Sequence, residues 1–203
     1  MRLFFGKQPL HFPPLSLGNS ILEIVENFKA LGLIINNKLK WDSHVDEMVK
    51  KASQRLHILR VLCRFGAAAH ELKQIYISLV RSTLEYACIV WQGGLTEKNR
   101  SAIERIQKRA LRIIYPYLSY SESLSLLHLD TLESRRQTIS RKFAGDIVKS
   151  DHKLHYRIPS TSRHGYPTRN KNLVNFKIRT KRKESSPVVY SIRLLQRFTS
   201  PVS

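Results

Sequence analysis

Four residues carry the clearest chemical signal in this chain: Arg105, Lys108, Arg109 and Arg112. They stand at i, i+3, i+4 and i+7, the spacing that gathers side chains on one face of a helix. Like charges so placed repel by roughly a few tenths of a kcal/mol per pair. A row of phosphates would offset that repulsion, which makes the row a candidate nucleic-acid contact. A solvated helix face that tolerates the repulsion is the alternative. Lys50, Lys51 and Arg55 form a second cationic group off the apolar face of an earlier helix. Lys181-Arg182-Lys183 is a third, and fits either a phosphate contact or a nuclear localisation signal.

The whole composition points the same way. The 203 residues hold 35 Lys and Arg against 15 acids, a formal charge of +20. Such an excess disfavours the compact state by self-repulsion unless something negative is near. Nucleic acid is the expected partner and an anionic membrane surface the runner-up. No stretch approaches the ~18 apolar residues that span a bilayer, so no membrane partner is expected. The N-terminus does not read as a signal peptide, since Gly6-Lys7-Gln8-Pro9 interrupts its apolar start. Cys63 and Cys88 are too few for a disulfide framework and fit small buried groups in a reduced, intracellular protein, nuclear or cytoplasmic.

Catalytic chemistry needs convergent groups, and the sequence offers none. The five aspartates, Asp42, Asp46, Asp130, Asp146 and Asp151, are never adjacent and none falls on an expected strand that could hold paired metal ions. There is no Gly-rich phosphate loop, Gly-x-Ser-x-Gly or His-Glu-x-x-His. Asp42 and His44 fit a helix cap and its neighbour better than an acid–base pair. His152, His155 and His164 match no zinc spacing with either cysteine and read as surface residues. No catalytic residue, metal ligand or cofactor is assigned.

The elements that must position the cations follow from pattern. Residues 2 to 35 read as short strands and turns: Leu3-Phe4-Phe5, then Pro9, Pro13 and Pro14, then strands at Ile21–Val25 and Leu31–Ile35. A first helix starts near Asp42 or Ser43 as cap, shows Val45, Met48, Val49, Ala52, Leu56, Leu59 and Leu62 on one face, and stops at Gly66. A second runs from Ala68 to Trp91 with Leu72, Ile75, Tyr76, Leu79, Val80, Thr83, Tyr86, Ala87 and Val90 inward, and Gly93-Gly94 breaks the chain. A third is capped by Thr96, turns Ile103, Ile106, Ala110, Ile113 and Ile114 inward, and ends at Pro116. Shorter helices follow at Ser121–Leu127, from Thr131 to about Lys149, and at Val188–Phe198. Arg135-Arg136 lies at the helix end unfavourable to positive charge, so contact rather than helix stability should explain it.

The central stretch also resembles a known family. Phe28-Lys29-Ala30-Leu31-Gly32, Leu39-Lys40-Trp41-Asp42-Ser43-His44-Val45, the helix from Ile75 to Tyr86 ending at Val90-Trp91, and Ile106-Gln107-Lys108-Arg109-Ala110-Leu111-Arg112 come in order. They are similar to the aromatic-Leu-Gly turn, Trp-x-x-His, Leu-Tyr-x-x-Leu-Val-x-Pro-x-Leu-x-Tyr and Gln-x-x-Ala-Leu-Arg segments at the end of non-LTR (LINE-type) retrotransposon reverse transcriptases. Each piece is degenerate; the match covers roughly residues 20 to 148. The resemblance implies a primer-grip-like turn at Phe28, Lys29, Leu31 and Gly32, with Ala30 where the family usually has an aromatic residue. It implies a thumb made of the helices that follow, with Thr83 in place of the family's usual proline. The family's catalytic Asp-Asp pair, which binds magnesium, lies upstream of this segment and is absent, so Met1 would be an internal methionine of a longer ancestor and the chain as it stands should not polymerise.

The expected fold is mainly α with a small N-terminal β portion: residues 1–41 as residual palm strands and a primer-grip-like hairpin, 42–116 as a thumb-like three-helix bundle, 117–150 as further helices, and 151–203 as a basic, partly disordered tail with a short terminal helix. The expected function is sequence-independent binding of RNA, DNA or hybrid duplex. A helical protein-interaction module, using apolar surface left exposed where a palm would pack, or a non-functional degenerate fragment, is the alternative.

Overall fold

A computed structural model of the chain describes residues 2–3, 15–159 and 176–199. The expected turns at Pro9, Pro13 and Pro14, and His164, lie outside them. The protein is mainly helical with a small N-terminal β region. Six short strands come first: β1 (Arg2–Leu3), β2 (Ser16–Leu17), β3 (Ser20–Ile21), β4 (Ile24–Val25), β5 (Asn27–Ala30) and β6 (Leu33–Asn36). They form three two-stranded ladders: β1 with β4, parallel; β2 with β3; and β5 with β6, antiparallel, with Phe28 opposite Ile35. The strand expected at Leu31–Ile35 starts at Leu33 instead. Leu31 (φ 48°) and Gly32 (φ 80°) form the tight turn of the β5–β6 hairpin, the two positive-φ positions that match strand twist.

Helix α1 (Asp42–Arg64) is the axis of the core. Val45, Met48, Ala52, Leu56 and Leu59 are buried along one face, and each of the four larger side chains contributes about 1.5–3 kcal/mol when removed from water. Its N-cap is Trp41, whose side chain makes no capping bond, rather than the expected Asp42 or Ser43. Asp42 instead accepts a hydrogen bond from Asn99 Nδ2 at 2.9 Å, across to the third helix of the bundle. Gly66, at φ 83°, ends the first helix as expected.

The expected second helix is interrupted. It runs as α2 (Ala69–Ile75), a π-helical turn (Tyr76–Arg81) and α3 (Ser82–Glu85), breaks at Ala87 (φ 48°), and resumes as α4 (Cys88–Trp91) and a 3-10 turn (Gln92–Gly94). Its buried line is Leu72, Tyr76, Val80, Leu84, Cys88 and Trp91. The first five recur every four residues, a spacing that overshoots one turn of a 3.6-residue helix by ~40° per step. The wider π turn and the break take up that drift. Leu79, Tyr86 and Val90, expected inward, are exposed for this reason.

Helix α5 (Glu97–Ile114) is capped by Thr96, whose hydroxyl accepts from the Asn99 N–H at 3.3 Å. It packs along α1 and buries Ile103, Ile106, Gln107, Ala110, Leu111 and Ile114. After Pro116 come α6 (Tyr120–Leu127), with a Ser119/Glu122 capping box, and α7 (Leu132–Val148), capped by Thr131. A 3-10 turn (His155–Arg157), α8 (Lys181–Glu184) and α9 (Pro187–Thr199) complete the described residues. The terminal helix α9 packs on α7 and on the Gln92–Gly94 turn, burying Val189, Ile192 and Leu194. It is part of the folded body rather than an appendage. Gly93 permits this closure, since a Cβ there would lie 2.6 Å from the Ser185 carbonyl; one on Gly94 would lie 2.7 Å from the Trp41 indole, where the turn meets the start of α1.

Candidate nucleic-acid interface

The hairpin turn is fastened to the second helix. The Tyr86 hydroxyl donates to the Leu31 carbonyl at 2.9 Å, and its ring lies against Gly32, where an added Cβ would come within 3.3 Å. A leucine at positive φ is held at a cost of roughly 1–2 kcal/mol, and this tether offsets part of it. On the other side, the Ile34 N–H donates to His44 Nδ1 at 3.4 Å. The His44 ring sits between Trp41 and Trp91, with centroids 6.1 and 6.0 Å away. Burial holds the imidazole below its usual pKa, and its Nε2 has no partner among the described residues.

Between turn, α1 and α3 lies a groove of about 380 Å³ lined by Gly32, His44, Glu47, Lys51, Arg55 and Tyr86, among others. Lys29 and Lys51 share the Glu47 carboxylate at 3.0 and 2.8 Å, and these two ammonium groups hold its carboxyl well down, at about 2. Arg55, expected to meet nucleic acid, instead donates to the Leu79 carbonyl at 2.6 Å and to the Thr83 hydroxyl, bracing the carbonyls around the π turn. Lys50 is exposed and is not among the residues that line this groove. Phe28 is exposed on β5, at 40%. Gly32 of the turn, Lys51 and Arg55 thus line one groove, and Lys29 is tied to it through Glu47, with Arg55 committed to structure.

The α5 row is a separate surface. Arg105, Lys108, Arg109 and Arg112 are all exposed on the side opposite the buried stripe of α5. No ion pair among the described residues involves any of them, whereas Arg81, Arg100 and Arg135 each pair with a carboxylate. Lys108 lies over the Tyr120 ring, 5.2 Å from its centroid. The flank of α1 that carries Lys51 and Arg55 faces the hairpin, while α5 meets α1 through Asp42 and through the Cys63 thiol on the Ile113 carbonyl. Lys181, Arg182 and Lys183 are exposed on α8, and Lys181 and Arg182 line a second depression beside Gly93, Gly94 and Lys38. The three cationic groups therefore do not converge.

Sequence reasoning missed the polar residues that hold this arrangement. Gln107 is buried and joins four elements: its Oε1 accepts from the Tyr76 hydroxyl, and its Nε2 donates to the Tyr120 hydroxyl at 3.0 Å and to the Asp130 carbonyl at 2.9 Å. Tyr120 in turn donates to Glu104. Arg135 forks onto Glu85 at 2.6 and 3.2 Å, the contact that its unfavourable helix position foretold. Gln107 carried two sequence signals, its place on the inward side of α5 among apolar neighbours and its position at the head of the Gln-x-x-Ala-Leu-Arg segment, and neither named its partners. Among the described residues no group of three or more His, Cys, Asp or Glu could hold a metal ion, and no helix is long and apolar enough to cross a membrane. Compared with known proteins, the chain matches no family profile, no curated protein and no solved structure.

Proposed function

We propose that this chain binds a template–primer duplex without reading its sequence, as the end-of-palm and thumb portion of a non-LTR retrotransposon reverse transcriptase, in the cell's nucleic-acid-bearing compartments. The observation that carries the binding is the α5 row, four exposed cations without an ion pair among the described residues, along about two turns of helix. Contacts to phosphate position a duplex and give affinity without sequence information. The ancestry draws support from how the resembling segments are used. Leu31-Gly32 meets Tyr86, His44 meets Trp91, and Gln107 meets Tyr76. Residues matched separately along the chain thus form one another's tertiary contacts. The reading assigns no polymerisation to this chain, because the family holds magnesium with an Asp-Asp pair and the five aspartates here are never adjacent.

The test is binding of the purified chain to a labelled RNA–DNA hybrid at two salt concentrations, beside a variant with Arg105, Lys108, Arg109 and Arg112 changed to Ala. Salt-sensitive binding that the variant loses supports the reading. Absence of binding, or binding that the variant keeps in full, refutes the placement on α5. A second reading, a protein-interaction module, is favoured by one observation. Leu17, Ile21, Ile24 and Leu31 of the β region are 67–90% exposed, an apolar surface of the kind that partners cover. Association through that surface would change little with salt, unlike phosphate binding.

A further inference from the structure

We infer that the depression lined by Lys38, Lys181 and Arg182 binds the phosphomonoester of a nucleotide, either free or at the end of a nucleic-acid strand. It encloses about 390 Å³ where three segments distant in sequence meet: the link from β6 to α1, the Gln92–Gly94 turn, and α8 with the start of α9. Local bonds fix the backbone that carries each cation. The Lys38 N–H donates to Asn36 Oδ1 at 2.8 Å, and the Leu39 N–H to the Asn36 carbonyl at 2.8 Å, with Leu39 at φ 54°. Lys181 and Arg182 stand on α8, where the Lys183 N–H donates to Thr180 Oγ1 at 3.2 Å and Ser185 Oγ to the Arg182 carbonyl at 3.2 Å. Gly93 lets this C-terminal segment seat so close, since a Cβ there would lie 2.9 Å from Tyr190 Cβ as well as against the Ser185 carbonyl.

The fold thus gathers three cations that the sequence keeps far apart. Their mutual repulsion disfavours the arrangement unless an anion joins them. The chain supplies none. All 15 of its Asp and Glu residues lie among the described residues, and no ion pair joins any of them to Lys38, Lys181 or Arg182. The acid in the lining, Glu184, is held by Arg193 at 2.6 Å. Three unpaired cations beside one engaged carboxylate suit a dianion better than the single charge of a phosphodiester, and a phosphomonoester carries about −1.5 to −2 at pH 7. The volume falls in the small-ligand range of roughly 300–1,000 Å³, which admits one nucleotide and excludes a duplex. Leu39, Leu95 and Tyr190 supply the apolar part of the lining, and an aromatic ring is a surface on which a base stacks. The depression stands apart from the α5 row, so either site can fail without the other.

The experiment titrates the full chain with adenosine monophosphate, with adenosine, and with a fluorescent single strand that carries a phosphate or a hydroxyl at its 5′ or 3′ end. The terminal phosphate should tighten strand binding about tenfold, as one charge-assisted contact requires. A response to adenosine monophosphate but not to adenosine supports the site with a free nucleotide as its ligand; a response to the phosphorylated strand alone supports it with a strand end. Changing Lys38, Lys181 and Arg182 together to Ala should abolish the phosphate dependence. All three are exposed, so that variant should melt no lower than wild type. The four-alanine α5 variant should keep the phosphate dependence while losing duplex binding. Equal affinity for the phosphate and hydroxyl forms of both probes, a phosphate dependence that the triple variant keeps, or one that the α5 variant loses would overturn the inference.

Discussion

Replacing Gln107 with Met should destabilise the protein far more than its change in volume implies, and Tyr76→Phe should recover part of the loss. Gln107 is 1% exposed and Tyr76 is fully buried. The substitution removes the two bonds donated by Nε2, at 3.0 and 2.9 Å, and the one accepted from Tyr76. Each neutral bond contributes about 0.5–1.5 kcal/mol, and each buried partner left unpaired costs about 1–3 kcal/mol. Tyr120 keeps its bond to Glu104, so the unpaired groups are the Tyr76 hydroxyl and the Asp130 carbonyl. Their sum is about 2–6 kcal/mol, or ~10 °C in melting temperature for a chain of this size. In the Gln107→Met background, Tyr76→Phe removes an orphaned hydroxyl rather than a working one. The double variant should therefore be more stable than the sum of the singles predicts by about 1–2 kcal/mol. Urea unfolding of the four members of the cycle, with the slope checked for constancy, measures this. Additivity within about 0.5 kcal/mol would refute the claim that Gln107 and Tyr76 act as one buried unit.

Three further outcomes are expected. The α5 row runs from Arg105 to Arg112, a length of about 10 Å at 1.5 Å per residue, which matches about three phosphates of one strand at ~3.4 Å each. Removing its four cations should lower the slope of log affinity against log salt by about 2.7, so between 50 and 200 mM salt wild type should lose ~40-fold more affinity than the variant; equal slopes in a salt titration would place the duplex elsewhere. Gly32→Ala should destabilise by about 1–2 kcal/mol, because the position has φ 80° and its Cβ would press on Tyr86, and urea unfolding beside Tyr86→Phe reads the difference. Because burial lowers the folded pKa of His44, the unfolded chain takes up its proton first as pH falls. The stability from neutral His44 is complete above about 6.5 and declines as pH drops from there toward the folded value, so His44→Gln should flatten the unfolding free energy measured between pH 7 and 5, and an unchanged profile would remove His44 from the acid response.

The sequence by itself determined whatever depends on near neighbours. Thr96 and Thr131 are the caps expected of them, Gly66 and Pro116 end their helices, and the cations of α5 face outward because their period is that of the helix and their side chains do not tolerate burial. Local chemistry also pointed to a contact for Arg135, since its place at a helix start had to be offset by something. Only the tertiary structure decided the rest. A 3.6-residue period misplaced Leu79, Tyr86 and Val90, because the π turn and the break at Ala87 are held by packing and by Arg55 and Thr83 on the Leu79 carbonyl. Arg55 looked like a surface cation until its partner, 24 residues on, was in place. Gln107 looked like an ordinary polar position, and Arg136 like half of a basic pair, because burial of a polar group depends on partners contributed by distant segments. No local pattern records which donors and acceptors will meet; the fold assembles them, and with them the groove at Gly32, the hub at Gln107 and the enclosed guanidinium of Arg136.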